Sequence, residues 1–178
     1  TTAKVKGPEA TTLLTQVTIP EKATNSLNGE SYTVTAIADK AFRNTKFNGE
    51  ITSITLPDSL KEIGDFAFFS CFKLEDINLP DGLTKIGYQA FQNCYSLTEI
   101  TIPSSVTTMS SHVFNRCIGL KKVTFEKNSQ LSALPDATFA NCISLESFTL
   151  PNGFASIGKN AFYKCGKLTT LNISDDVT

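Results

Sequence analysis

Residues 74–95 read LEDINLPDGLTKIGYQAFQNCY, and residues 97–118 repeat the pattern as LTEITIPSSVTTMSSHVFNRCI. All five cysteines fall in one column of this repeat, with spacings of 23, 23, 25 and 23 residues: Cys71, Cys94, Cys117, Cys142 and Cys165. Six phenylalanines form a second column: Phe42, Phe68, Phe91, Phe114, Phe139 and Phe162. Self-similarity at such a period is typical of a solenoid, in which each repeat is one turn stacked on the next.

The first half of each repeat reads as a short strand. Ile77 and Leu79 are two residues apart and therefore share one face of an extended segment. Pro80 ends the segment because proline has no N–H to donate to a neighbouring strand. Strands joined by such return connections pair in parallel. The pattern predicts a parallel sheet of about seven short strands.

The second half of each repeat brings the chain back to the core. We expect Gly87 to permit a tight corner. Ala90 and Cys94 are four residues apart, so both face the core if the limb is one helical turn. The resulting fold class is an α/β repeat solenoid with short helical or irregular return limbs.

The repeat resembles a known family. Its signature is I-G-x-x-A-F-x-x-C followed by L-x-x-I-x-[LI]-P, carried here by Ile63-Gly64, Ala67-Phe68, Cys71, Leu74 and Leu79-Pro80, and again by Ile86-Gly87, Ala90-Phe91 and Cys94. This pattern resembles the leucine-rich repeats of the BspA-type family of bacterial surface proteins. The resemblance covers nearly the whole chain. Local departures are Thr45 in the cysteine column, Leu134-Pro135 in place of Ile-Gly, and two extra residues around positions 127–130.

The resemblance implies a right-handed leucine-rich-repeat stack, export to the cell surface or the extracellular space, and adhesion. The implied partner is a protein on a host or neighbouring cell or in its matrix. Two alternatives stay open, namely a spacer or scaffold within a larger surface protein and a glycan-binding module.

Composition argues against other partners. A formal net charge of −1 over 178 residues, 19% of them charged, provides no field to attract nucleic acid. No apolar run approaches the roughly 18 residues that suggest a spanning helix, so no transmembrane segment is predicted.

The ends of the chain differ from the middle. Pro20 and Pro57 are 37 residues apart instead of 23, and Asn28-Gly29 between them is a hairpin signal. We interpret residues 1–50 as an N-terminal cap with a hairpin insertion and a first irregular repeat. Residues 51–178 hold repeats of 23–25 residues, the last one incomplete. An uncapped C-terminal repeat favours end-to-end self-association.

The cysteine column predicts buried free thiols, because stacked side chains that point into a core run parallel. Neighbouring turns about 4.8 Å apart lie within the Cα range of disulfides, so pairing stays an alternative by distance. A metal site is less favoured, since no C-x-x-C occurs.

No motif supplies catalytic chemistry. The chain has one histidine, His112, with no nucleophile or orienting carboxylate in a recognisable pattern around it. Phosphate-binding, dinucleotide-binding, hydrolase and metalloprotease motifs do not occur. We therefore expect neither an enzyme nor a cofactor, and we interpret His112 as a surface histidine.

Two surfaces are candidates for binding. The outward face of the predicted sheet holds polar residues: Asp76, Asn78, Glu99, Thr101, Lys121, Lys122, Thr124 and Glu146. The alternative for this face is a set of ordinary cross-strand pairs, such as Glu99 with Lys122 and Lys121 with Glu146. The second candidate is an aromatic patch of Phe66 and Phe69, whose alternative is packing beneath residues 46–50.

Overall fold

The structure is a computed structural model that describes residues 2–6, 15–43, 50–173 and 177. Within these ranges the chain forms a solenoid of stacked turns, with two lines of short parallel strands along the stack. The first strand line consists of β2 (Gln16–Thr18), β5 (Ser53–Thr55), β7 (Asp76–Ile77), β9 (Glu99–Ile102), β11 (Lys122–Phe125), β13 (Ser147–Thr149) and β15 (Thr170–Asn172). The leucine-rich solenoid predicted from the repeat is therefore confirmed.

The second strand line lies in the half of the repeat that sequence reasoning assigned to the return limb. It consists of β4 (Ser31–Ile37), β6 (Glu62–Ile63), β8 (Lys85–Ile86), β10 (Thr108–Met109), β12 (Ala133–Leu134) and β14 (Ser156–Ile157). Like residues face each other between turns, as Ile63 faces Ile86 and Ile86 faces Met109. Each limb thus buries its apolar face against the copy before and after it.

The N-terminal region adds two strands to the second line. β1 (Thr2–Val5) pairs in parallel with β4, and β3 (Lys22–Thr24) pairs with β4 antiparallel. The turn between β3 and β4 contains Gly29, whose φ of 72° lies in the left-handed region that glycine adopts without steric cost. Thr45 and residues 46–49 lie outside the described residues.

The phenylalanine column forms a ladder of stacked rings through the core. Neighbouring ring centroids are 5.1 to 5.9 Å apart, with interplanar angles of 5° to 18°. Phe68, Phe91, Phe114 and Phe139 are fully buried. Each buried phenylalanine contributes on the order of 1.5–3 kcal/mol by removal of apolar surface from water.

The return limb is irregular, and the helical alternative is wrong for the described residues. Gln89 (φ 53°) and Asn93 (φ 64°) occupy the left-handed region, and every later turn has two such residues at the same positions. A right-handed helix cannot include them. The limb's hydrogen bonds instead run between turns: Phe68 N–H donates to Ala90 C=O at 2.8 Å, and Phe91 N–H donates to Val113 C=O at 2.9 Å. None of the described segments is a helix long and apolar enough to cross a membrane.

The repeated glycine has a different role from the one we expected. Gly87 does not have a positive φ, so the corner does not require glycine for its dihedral angles. A Cβ at Gly87 would instead lie 2.6 Å from backbone atoms of Gly64 and Asp65 in the preceding turn. Glycine is required because the two backbones approach closely there.

An aspartate in one turn accompanies the glycine in the next. Asp65 Oδ1 accepts a hydrogen bond from Tyr88 N–H at 2.7 Å, directly after Gly87. The same arrangement joins Asp39 to the turn with Gly64 and Asp136 to the turn with Gly158. Two of the turns without this aspartate carry Tyr88 and Ser111 there, and the turns after them carry Ser110 and Pro135 in place of glycine. The close approach is therefore a property of a pair of turns.

We expect Phe91→Ala to lower the free energy of unfolding by about 3–5 kcal/mol, because it removes a fully buried ring from the middle of the ladder. Phe162→Ala, where the ring is only partly buried, is the matched control and should cost less. Urea denaturation followed by circular dichroism measures both. An unchanged urea unfolding midpoint for Phe91→Ala would show that the stacked rings do not stabilise the fold.

Gly87→Ala should lower the free energy of unfolding by about 1–3 kcal/mol, since its Cβ has no room beside the preceding turn. Gly166→Ala is the control, because a Cβ there meets nothing within 4 Å and the φ is not positive. We expect that control to stay within about 0.5 kcal/mol of the parent chain in the same denaturation experiment. Equal effects of the two substitutions would rule out the close-approach explanation.

Candidate functional site

The polar residues predicted for the sheet face lie together on the outward side of the first strand line. Glu99 faces Lys122 and Thr101 faces Thr124 in the register of β9 and β11. All eight predicted residues are exposed: Asp76, Asn78, Glu99, Thr101, Lys121, Lys122, Thr124 and Glu146. Between them, alternate residues such as Ile100 and Val123 point into the core, which fixes the orientation of the face.

The charges on this face are not paired with each other. Glu99 and Lys122 are register partners, yet no ion pair within 4.0 Å joins them, and none joins Lys121 to Glu146. The second strand line behaves differently. There Glu62 and Lys85 are also register partners, and Lys85 Nζ donates to Glu62 Oε1 at 2.7 Å, which raises the pKa of Lys85. The two cross-strand pairs expected from the sequence therefore do not form, whereas an unpredicted pair joins Glu62 and Lys85 on the second strand line.

The first strand line is interrupted at two places. Ladder pairing joins β2, β5 and β7, then β9 and β11, then β13 and β15, with no ladder between β7 and β9 or between β11 and β13. A groove of about 660 Å³ lies at each interruption. We name them the insertion groove, lined by residues 122–128 and 147–152, and the acidic groove, lined by residues 77–82 with Asp58, Thr101 and Glu126.

The aromatic patch of Phe66 and Phe69 is half-buried on the return limb. The two rings are 5.7 Å apart, edge to face, and the Tyr88 ring lies 5.4 Å from that of Phe66. Lys40 Nζ is 6.0 Å from the Phe66 ring, and the Arg43 guanidinium is 5.2 Å from the Phe69 ring. Neighbouring turns therefore already contact both rings. Most of the segment expected to cover them, residues 46–49, lies outside the described residues.

An apolar stripe follows the cysteine column, and sequence reasoning missed it. Phe72, Tyr95, Ile118 and Ile143 each come directly after a cysteine, and the Phe72 and Tyr95 rings stack at 4.9 Å. Phe72 and Ile118 are each 37% exposed, and Ile143 is 49% exposed. The signal was present in the sequence as an apolar column directly after the cysteine column.

The five thiols are free, and each bonds to the turn before it. Cys94 Sγ donates to Phe68 C=O at 3.4 Å and Cys117 Sγ donates to Phe91 C=O at 3.2 Å, with equivalent bonds from Cys71, Cys142 and Cys165. Burial raises the pKa of the Cys71 and Cys117 thiols to about 12, which disfavours the nucleophilic thiolate. The column is buried except for Cys165, which is only half-buried.

His112 lies on the return limb with its ring 5.7 Å from that of Tyr88. Its Nδ1 is buried and has no hydrogen-bond partner among the described residues. In the same part of the chain, no group of three or more His, Cys, Asp or Glu side chains is arranged to hold a metal ion.

The repeat pattern agrees with a family model. The model for the BspA type leucine rich repeat region matches residues 10–131 and 128–178, with six copies. The chain belongs to the BspA-type leucine-rich repeat family. No curated protein sequence matches the chain with significance.

Solved bacterial leucine-rich repeat structures share the fold of this BspA-type chain. A leucine-rich repeat protein from Bacteroides ovatus is 29% identical over 91% of the chain, with a TM-score of 0.63. A leucine rich cell surface protein from Faecalibacterium prausnitzii is 29% identical over 95% of the chain, with a TM-score of 0.64. The pneumococcal vaccine antigen PcpA is 27% identical over 98% of the chain, with a TM-score of 0.68. The matches cover 46%, 48% and 43% of those proteins, so the chain spans less than half of each.

We expect the native BspA-type chain to react slowly with a maleimide, because the thiols are buried and un-ionised at neutral pH. Cys165 should react first, since it is half-buried and its pKa is raised only to about 11. Mass spectrometry of timed samples, with urea-unfolded chain as the control, measures the order. Rapid labelling of Cys94 or Cys117 in the folded chain would show that the cysteine column is not buried.

Proposed function

We propose that the chain is a non-catalytic binding module of an exported bacterial surface protein, and that it binds a protein partner through the outward face of the first strand line. The partner belongs to a host cell, a neighbouring cell or its matrix. The proposed contact residues are Asp76, Asn78, Glu99, Thr101, Lys121, Lys122, Thr124 and Glu146.

The observation that carries this proposal is the set of open charges on the outward face of the first strand line. Glu99, Lys121 and Lys122 are exposed and unpaired, while the buried residues between them hold the strands in place. Unpaired charges of both signs give a surface electrostatic selectivity for a partner with complementary charges. Solenoids commonly use their extended faces in this way.

A protein partner suits this face better than the two alternatives. A spacer needs no open charge, and its surface would be served equally well by pairs like Glu62 with Lys85. A glycan-binding face would be expected to present the flat side of an aromatic ring, whereas none of the eight proposed contact residues of this face is aromatic. The patch of Phe66 and Phe69 is less favoured as a contact, because Lys40, Arg43 and Tyr88 already lie against its rings.

The exported location rests on relatives. One similar structure is a cell surface protein and another is a vaccine antigen, as their descriptions state. We extend that location to this chain as part of the proposal. Free thiols are compatible with an exported location because burial raises the pKa of Cys71 and Cys117 and disfavours the thiolate that oxidants attack.

The test is capture of extracellular-matrix proteins by the immobilised chain. We expect Glu99→Lys/Lys121→Glu/Lys122→Glu to weaken capture by about tenfold or more, equivalent to at least about 1.4 kcal/mol, with an unchanged unfolding curve. Lys159→Glu/Lys167→Glu is the control, since both lysines are exposed outside the first strand line. Biolayer interferometry at two salt concentrations measures the affinities.

Three results would decide against the proposal. Capture that is equal for the parent and the triple variant would exclude this face. Capture of matrix glycans without matrix proteins would favour the glycan alternative. A chain that captures nothing from either class would favour the spacer.

A further inference from the structure

We infer that the insertion groove binds an extended acidic segment of the partner protein, held by Lys122 and Lys127 and by main-chain hydrogen bonds. This inference rests on the proposed function and identifies one subsite within it. It follows from the shape of the groove, its unpaired backbone, its charge and its floor.

The groove lies where the repeat is longer. The spacing from Cys117 to Cys142 is 25 residues, and Glu126 stands where the neighbouring turns have Pro103 and Pro151. A single backbone hydrogen bond outside regular ladders joins the two strands at their start, from Glu146 N–H to Lys121 C=O at 3.4 Å. The volume of about 660 Å³ lies within the range of about 300–1,000 Å³ typical of ligand pockets.

The facing edges of the two strands leave backbone groups without partners across the groove. β9 pairs with β11 over four residues and β13 pairs with β15 over three, but no ladder joins β11 to β13. Backbone N–H and C=O groups have to bond to something, either water or a ligand. An extended peptide that lies over the outward opening of the groove offers both donors and acceptors to these groups.

The charge of the groove selects an acidic occupant. Lys122 and Lys127 are exposed, and neither forms an ion pair with any residue that the structure describes. Glu126 is the one acidic residue among those that line the groove, and its Oε2 accepts a hydrogen bond from Ser104 N–H at 2.9 Å in the preceding turn. The two ammonium groups are therefore available to carboxylates of a ligand.

The floor and rim suit a peptide with alternating side chains. Phe125 is half-buried and contacts Phe148 and Phe154 edge to face, at 5.9 and 5.6 Å. Its exposed part offers apolar surface to one side chain on the inward face of an extended peptide. On the rim, the Asn128 and Asn152 side chains form no hydrogen bond within the described protein, so both amides are open to polar side chains of the ligand.

The test uses a fluorescein-labelled peptide of alternating glutamate and valine, and a matched peptide with glutamine in place of glutamate. Fluorescence polarisation should detect binding of the acidic peptide to the intact chain, with at least about tenfold weaker binding of the glutamine peptide. Lys122→Glu/Lys127→Glu should lose about tenfold or more in affinity. Lys159→Glu/Lys167→Glu, which changes the net charge equally, should retain it.

Amide chemical shifts locate the binding. We expect the acidic peptide to shift the amides of Val123, Phe125, Ser147 and Thr149 in nitrogen-proton NMR spectra. Equal binding of both peptides, equal loss in both double variants, or shifts confined to other turns would overturn the inference. So would binding at this groove of an oligosaccharide of alternating glucuronic acid and N-acetylglucosamine when the acidic peptide does not bind.

Lys127→Glu separates this inference from the proposed function, because Lys127 lies outside the proposed contact residues. If Lys127→Glu retains peptide binding and Glu99→Lys/Lys121→Glu loses matrix capture, the groove inference fails and the proposed function stands. If the peptide binds in the groove but Glu99→Lys/Lys121→Glu captures matrix proteins normally, the groove stands and the broader contact face fails.

Discussion

Hydrogen bonds between successive return limbs constrain the rest of the turn. Phe68, Phe91 and Phe114 donate their N–H groups forward to the next turn, so each limb has to lie against its neighbour at backbone distance. That distance stacks the rings face to face and leaves each thiol in reach of a carbonyl in the turn before. It also accounts for the left-handed residues, because they turn the backbone so that every second N–H of the limb points along the stack.

The columns of the sequence were sufficient to predict the stack, the first strand line and its outward residues, because the alternation of Glu99, Ile100 and Thr101 has one physical interpretation. The return limb was harder. Its left-handed positions are occupied by residues as different as Phe66, Gln89 and His112, so composition gives no sign of them. The spacing of Ala90 and Cys94 fits a helical turn equally well, and the decisive bonds join residues 22 to 25 positions apart.

The grooves could not be predicted for a related reason. An insertion near residues 127–130 is visible in the sequence, but whether it forms a bulge, a loop or a parting of two strands depends on the pairing of β11 with both neighbours. Whether the charged residues of the first strand line pair with each other likewise depends on side-chain orientation, which the sequence does not reveal. Glu62 with Lys85 and Glu99 with Lys122 look alike in sequence and in register, and only the first pair forms a bond. Local geometry thus decides which of two similar faces has paired charges and which has open ones.

The aspartate that accompanies each close glycine has a consequence for the order of the turns. Gly64, Gly87 and Gly158 each follow a turn that supplies the aspartate, whereas Ser110 and Pro135 follow turns that do not. Each turn with such a glycine is therefore matched to the turn directly before it. Anyone who lengthens, shortens or shuffles this array has to transplant neighbours as couples, since a single module inserted beside the wrong predecessor brings either a collision or an unbonded amide.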